Sequence, residues 1–161
     1  MIRFNADEIF EMALQIERNG ANFYETVASK TGDAKVAELC KKLAVMEVDH
    51  GKTFAEMRTQ LAGDETKATT FDPQSEAAMY LQAFADGKVF NVNADPAATL
   101  TGQESSQQVL QTAISLEKDS IVFYMGIKQM VPAGLGKDRI DAIIAEEMGH
   151  IRLLSGLAGS V

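Results

Sequence analysis

Glu17, Glu47 and His50 recur as Glu117, Glu147 and His150, each displaced by 100 residues. The chain has two histidines, and each stands three residues after one glutamate and 33 residues after another. The flanks repeat as well. Ala13-Leu14-Gln15-Ile16-Glu17 faces Ala113-Ile114-Ser115-Leu116-Glu117, and Phe23-Tyr24 faces Phe123-Tyr124. Carboxylate oxygens and imidazole nitrogens together suit iron or manganese, and ligand type alone does not choose between them. A duplicated set of one glutamate plus one E-x-x-H therefore points to a site for two metal ions.

Four long helical segments must position these residues. In the first, Ile9, Ala13, Ile16, Gly20, Phe23 and Val27 follow one another at spacings of three and four and form one helix face. Asn5 can cap it, Glu8 sits at the third helical position, and Phe4 and Ile9 occupy hydrophobic-staple positions. The second segment runs from about Asp33 to Leu61 and aligns Val36, Cys40, Leu43, Glu47, His50, Phe54, Met57 and Leu61. The third is expected to begin near Thr101, with Thr101 and Glu104 as a capping box, and presents Val109, Ala113, Leu116, Ser120, Phe123 and Ile127. The fourth presents Ile140, Ile143, Glu147, His150, Leu154 and Leu157. Between the pairs lie residues 63–102, with one short helix expected from Asp72 and Pro73 to about Asp86, ended by Gly87. A connection this long is reasonable where it must travel the length of a helical bundle.

The spacing brings the six residues level. Gly32, in the turn Thr31-Gly32-Asp33, is midway between Glu17 and Glu47. Each glutamate is then roughly 22 Å from the turn at a rise of 1.5 Å per residue. Pro132, in Val131-Pro132-Ala133-Gly134, is likewise midway between Glu117 and Glu147. Antiparallel hairpins therefore align each pair, and the two members of each E-x-x-H share one helix face. Glu47, His50, Glu147 and His150 also interrupt apolar rows. Four ionised carboxylates at one buried level are untenable without cations. Two divalent ions supply four positive charges, and neutral imidazoles complete the donor set.

Composition narrows the remaining possibilities. The net charge of −8 argues against nucleic acid and against an anionic membrane surface as partners. No apolar run is long enough to span a bilayer, and residues 1–8 lack the apolar stretch of a secretory leader. With Cys40 as the single cysteine, a C-x-x-C redox pair and an internal four-cysteine site are excluded. A cytoplasmic location is the corresponding expectation.

Ile16-Glu17 with Phe23-Tyr24, and Met46-Glu47-Val48-Asp49-His50-Gly51, resemble the rubrerythrin-related branch of the ferritin-like di-iron carboxylate proteins. The resemblance spans the four long helices. It implies an all-α ferritin-like four-helix bundle over residues 1–161, two hairpins joined by a long crossover containing the short helix. It implies Glu47 and Glu147 as bridging ligands, Glu17 and Glu117 as terminal carboxylates, and His50 and His150 as one ligand to each metal. Two iron ions are the expected cofactor, with manganese or a mixed pair as alternatives. They would be oxidised by O2 or hydrogen peroxide and reduced by an external electron-donor protein. Iron storage or delivery by a ferroxidase, and a metal-stabilised structural or interaction bundle, are the competing readings. A homo-oligomer, foremost a dimer, is the expected assembly. Two features depart from the family: this sequence carries no four-cysteine rubredoxin segment, and Ser120 stands where rubrerythrin has an additional glutamate used in ligand exchange.

Other residues carry paired readings. Tyr24 and Tyr124, seven residues beyond Glu17 and Glu117, could bond ligand carboxylates or serve as plain core tyrosines. Gly20 and Ser120 could leave room for O2 or peroxide, or permit close helix packing. Glu146 and Asp49 could orient a histidine or stand solvated. The methionines, including Met46, Met125 and Met148, read as core filler, Cys40 as a buried small hydrophobe, and Asp119, Glu8 and Glu11 as surface charge.

Overall fold

The computed structural model describes residues 5–61, 76–85, 91–131, 134 and 136–160. The long helices are α1 (Ala6–Lys30), α2 (Ala34–Thr59), α4 (Ser106–Met130) and α5 (Lys137–Ala158), with the short α3 (Glu76–Ala85) in the crossover. A 3-10 turn at Pro96–Thr99, which the sequence pattern did not indicate, precedes α4. Helices α1 and α2 pack as one hairpin and α4 and α5 as the other; α1 lies against α4 and α2 against α5. No described helix is long and apolar enough to cross a membrane.

Local chemistry sets the ends. Asn5 and Glu8 form the expected reciprocal cap, each side chain accepting the other's backbone N–H at 2.9 Å; Phe4, its staple partner, lies outside the described residues. Asp33 Oδ1 caps α2 by accepting from Lys35 and Val36, and Asp33 Oδ2 accepts from Ser106 Oγ at 3.0 Å. One residue thus ties the starts of α2 and α4. The start of α4 differs from expectation. Its capping box is Ser105 with Gln108, while Glu104 accepts from the backbone and hydroxyl of Thr101 and from the Gly102 N–H. Gly102 has a φ of +84°, which is incompatible with a right-handed helix, so these residues close a turn ahead of it. Asp72, Pro73, Asp86 and Gly87, expected at the ends of α3, lie outside the described residues, as does Pro132.

The crossover is pinned along α1. Asn19 Nδ2 donates to the Val92 carbonyl at 2.8 Å, Asn22 Nδ2 to Asp95 at 2.8 Å, and Lys30 Nζ to the Leu100 carbonyl at 2.8 Å. The core divides into two apolar clusters. One is built around Phe10, Phe54, Phe84, Phe123 and Ile140. The other is built around Phe23, Val36, Leu43, Leu110 and Leu154. Each such side chain contributes roughly 1.5–3 kcal/mol on burial. Cys40 is buried in the second cluster as expected, and burial pushes its thiol up to about 12. Met125 and Met148, expected in the core, are instead exposed, whereas Met46 is half-buried against the second cluster. Both exposed methionines fall outside the i, i+3, i+4 rows that carry the core residues.

Helix α3 docks where α4 has no side chain. Tyr80 Oη donates to the Val122 carbonyl at 2.7 Å, and a methyl at Gly126 would stand 2.2 Å from Tyr80 Cε1. Gly126→Ala should therefore destabilise the protein by about 1–3 kcal/mol through overpacking, although alanine is the better helix former. In a Tyr80→Ala background the same change should be neutral or stabilising by up to about 1 kcal/mol. Urea denaturation of the four proteins checks this; a loss that persists without Tyr80 would mean the ring contact is not its cause.

Candidate metal centre

Six polar residues occupy the level between the two apolar clusters. Glu17, Glu47, His50, Glu117, Glu147 and His150 are the buried charged or polar residues among those described, none more than 4% exposed. Each follows from its helix row: Glu47 and His50 continue Leu43 toward Phe54, and Glu147 and His150 continue Ile143 toward Leu154. Their donor atoms form two overlapping groups, Glu17, Glu47, His50 and Glu147 in one and Glu47, Glu117, Glu147 and His150 in the other. Within each group the atoms lie within 4.8 Å of one another.

Glu47 and Glu147 belong to both groups, with one oxygen toward each. His50 Nδ1 lies 3.8 Å from Glu47 Oε2 and 3.2 Å from Glu147 Oε1. His150 Nδ1 lies 3.2 Å from Glu47 Oε1 and 2.8 Å from Glu147 Oε2. Of the two histidines, Glu17 Oε2 lies near His50, at 3.5 Å, and Glu117 Oε1 near His150, at 3.4 Å. The imidazoles stack with centroids 5.6 Å apart. Despite these separations, Glu17 Oε2, Glu47 Oε1, both Glu147 oxygens and both Nδ1 atoms make no hydrogen bond. Buried polar atoms are ordinarily paired. These are arranged around shared points rather than aimed at one another, and that geometry fits two cations.

Both tyrosines are bound to the cluster, each to the opposite hairpin. Tyr24 Oη donates to Glu117 and Tyr124 Oη to Glu17. Burial, reinforced by the carboxylate charges, raises both phenols well above their ordinary value, so they stay neutral donors. Around His50, Nε2 lies 3.1 Å from Glu146 Oε2. Asp49 instead pairs with Lys52 at 2.6 Å in solvent.

Without metal the cluster balances its charge with protons. Burial, then the Glu47 charge, raises Glu17 well above the carboxylate range; burial, then Glu147 and Glu47, raises Glu117. Burial opposes the Glu47 anion too, but the two imidazoles beside it hold it down to about 2, and Glu147 is lowered in the same way. Burial also opposes the imidazolium ions. The surrounding carboxylates outweigh it, raising His50 and pushing His150 up to about 12. Two protons on histidines and two on Glu17 and Glu117 thus neutralise four carboxylates.

A cavity of about 250 Å³ reaches this level from one side, lined by Gly20, Tyr24, Glu47, Glu117, Asp119 and Ser120 and walled by crossover residues. Gly20 both opens it and allows close approach, since a methyl there would lie 3.3 Å from Glu47 Oε2. Ser120 Oγ donates to the Leu116 carbonyl at 3.1 Å. Asp119, expected as surface charge, is half-buried in this wall, and burial raises its pKa.

Comparison with known proteins agrees with this architecture. The family model described as Rubrerythrin matches residues 8–94. The fold is similar to that of a Thermotoga maritima protein described as a ferritin-like diiron-carboxylate protein. The two are 21% identical, with a TM-score of 0.70 over 98% of this chain and 97% of the other. A search of curated proteins finds no match. The all-helical, ferritin-like bundle expected from the sequence is thus established, and its buried cluster of four glutamates and two histidines fits a di-iron site.

Two outcomes are expected. The raised groups, Glu17, Glu117, His50 and His150, stabilise the metal-free fold at low pH and lose that contribution as pH rises through their folded values. For His150 the loss runs from 6.5 to about 12. Glu47 acts oppositely, losing its contribution only as pH falls from 4.5 to about 2. The metal-free melting temperature should therefore fall from pH 6 to 9. The increment added by Mn(II) should grow over the same range because binding expels protons; an increment independent of pH would contradict this. Separately, Glu47→Ala or Glu147→Ala should abolish uptake of both ions, and Glu17→Ala or Glu117→Ala should weaken one. Elemental analysis after anaerobic Fe(II) loading distinguishes these, and one ion retained in full by Glu47→Ala would contradict the shared-ligand geometry.

Proposed function

This chain belongs to the rubrerythrin family, and from that premise we propose that its six buried donors hold two iron ions for redox chemistry with O2 or hydrogen peroxide. The observation that carries this reading is the pair of overlapping donor groups joined through Glu47 and Glu147. In it Glu47 and Glu147 would be shared by the two ions, Glu17 and Glu117 would each serve one, and each histidine would serve one. When bound, the iron pair supplies two electrons by passing from Fe(II) to Fe(III).

The protein's own groups hold and shield that pair. The Tyr24 and Tyr124 hydroxyls hold one oxygen each of Glu117 and Glu17 and so fix the terminal carboxylates from the opposite hairpin. The apolar clusters on both sides exclude bulk water. The cavity beside Gly20 and Ser120 admits a small oxidant at Glu47 and Glu117. Ser120 supplies no carboxylate, so the ligand exchange implied by the rubrerythrin resemblance has no partner here. In this reading a separate electron-donor protein would reduce the pair.

Protein loaded anaerobically with two Fe(II) per chain and mixed with hydrogen peroxide should oxidise that pair once and stop. Rubredoxin with its reductase should restart it. Stopped-flow absorbance in the near ultraviolet follows the Fe(III) carboxylate product. An Fe(II) protein unchanged for minutes by both peroxide and O2 would replace this reading with a structural metal role. Oxidation far beyond two irons per chain, with mineral formation, would replace it with storage.

A further inference from the structure

The repeat is broken at a position that touches a histidine of the centre. His50 Nε2 lies 3.1 Å from Glu146 Oε2, the residue just before Glu147 on α5. The position 100 residues earlier, just before Glu47 on α2, is Met46, half-buried against the second apolar cluster. A thioether is only a weak acceptor. His150 Nε2 correspondingly has no hydrogen-bond partner among the described residues, although His150 is fully buried. One imidazole is therefore held from behind by a carboxylate, an arrangement that, with metal bound, would keep the proton on Nε2 and present the Nδ1 lone pair on the side of Glu17, Glu47 and Glu147. The other imidazole is not.

The cavity adds an independent asymmetry. Of the six donors it touches Glu47, which both groups share, and Glu117, the terminal carboxylate of the His150 group, but not Glu17, the terminal carboxylate of the His50 group; neither histidine lines it. It thus reaches the centre through Glu117, which lies 3.4 Å from His150 Nδ1.

We propose that the two metal positions are unequal, with Glu146 as the positioning residue that makes the His50 position the tightly held one and leaves the His150 position, beside the cavity, as the exchangeable one. A carboxylate behind a ligating histidine fixes its tautomer and raises its basicity, and removing such a partner typically weakens metal affinity about 10- to 100-fold. The His150 position lacks that partner and opens to solvent through the cavity. Metal enters the His50 position first, and the ion beside Gly20 and Ser120 is the one that small molecules reach.

This inference rests on the dinuclear reading, and Mn(II) titration followed by electron paramagnetic resonance tests the two separately. In wild type the first equivalent should give the six-line signal of an isolated ion, and the second should convert it to a spin-coupled pair. Glu146→Ala should weaken the first step by about 10- to 100-fold and so merge the two steps. Glu146→Gln, whose amide oxygen remains an acceptor, should restore most of the difference. Met46→Glu should tighten the second step. Glu146 is half-exposed, with 52% of its side chain accessible, so its truncation leaves no core void. Failure of wild type to take up a second ion would overturn the dinuclear reading and this inference with it. Two ions taken up with a coupled signal from the first addition, or Glu146→Ala weakening both steps equally, would overturn the inference alone.

Discussion

Mutual repulsion of four buried carboxylates is the constraint around which the bundle is organised. Each of these groups is almost wholly removed from water, and an isolated buried charge costs several kcal/mol even after relaxation. Whatever occupies the level between the two apolar clusters must bring four positive charges. Protons on Glu17, Glu117, His50 and His150 do so in the metal-free protein; two divalent ions do so in the loaded one. The apolar clusters make the requirement severe, because they deny the carboxylates water. They also make the site stiff, because each donor sits on a helix packed on both sides of the charged layer.

The arrangement trades stability for a set of donors of fixed shape. Seven buried polar atoms without hydrogen bonds among the described residues would be a liability in a folded domain that never met a metal. Their separations from the histidine nitrogens, 2.8 to 3.8 Å, are those of groups gathered around common points. The tyrosines add directionality that charge alone lacks. Tyr124 donates to Glu17 Oε1 and leaves Oε2 facing His50, whereas Tyr24 donates to the same Glu117 oxygen that faces His150.

Much of this was legible in the sequence, because spacing along a helix is geometry. Offsets of three and 33 residues put Glu17, Glu47 and His50 level as soon as Gly32 was read as a turn, and the apolar rows around them marked them as buried. Contacts between the halves were less legible. Nothing in the spacing says that Tyr24 reaches Glu117 rather than Glu17, since that depends on how α1 and α4 sit side by side. Glu146 and Asp49 were indistinguishable as neighbours of ligands; only helix rotation shows that one faces the opposite histidine and the other pairs with Lys52. The α4 start was misplaced because Thr101-x-x-Glu104 has the composition of a capping box, while Gly102 in the left-handed region makes it a turn. Asp119 was misjudged because the crossover residues that shelter it are remote in sequence.

The crossed tyrosine bonds have a consequence for what counts as the unit of this site. Each hairpin holds one terminal glutamate, one E-x-x-H and one tyrosine, yet its own tyrosine attends to the other hairpin's glutamate. A lone hairpin would own a hydroxyl with no acceptor and a carboxylate with no donor. The centre is therefore a property of the seam, and the chain is a covalently tethered pair of half-sites that are incomplete apart. Such a tether frees the halves to diverge, since a substitution in one need not appear in the other. Met46 opposite Glu146 is one place where that freedom has already been used.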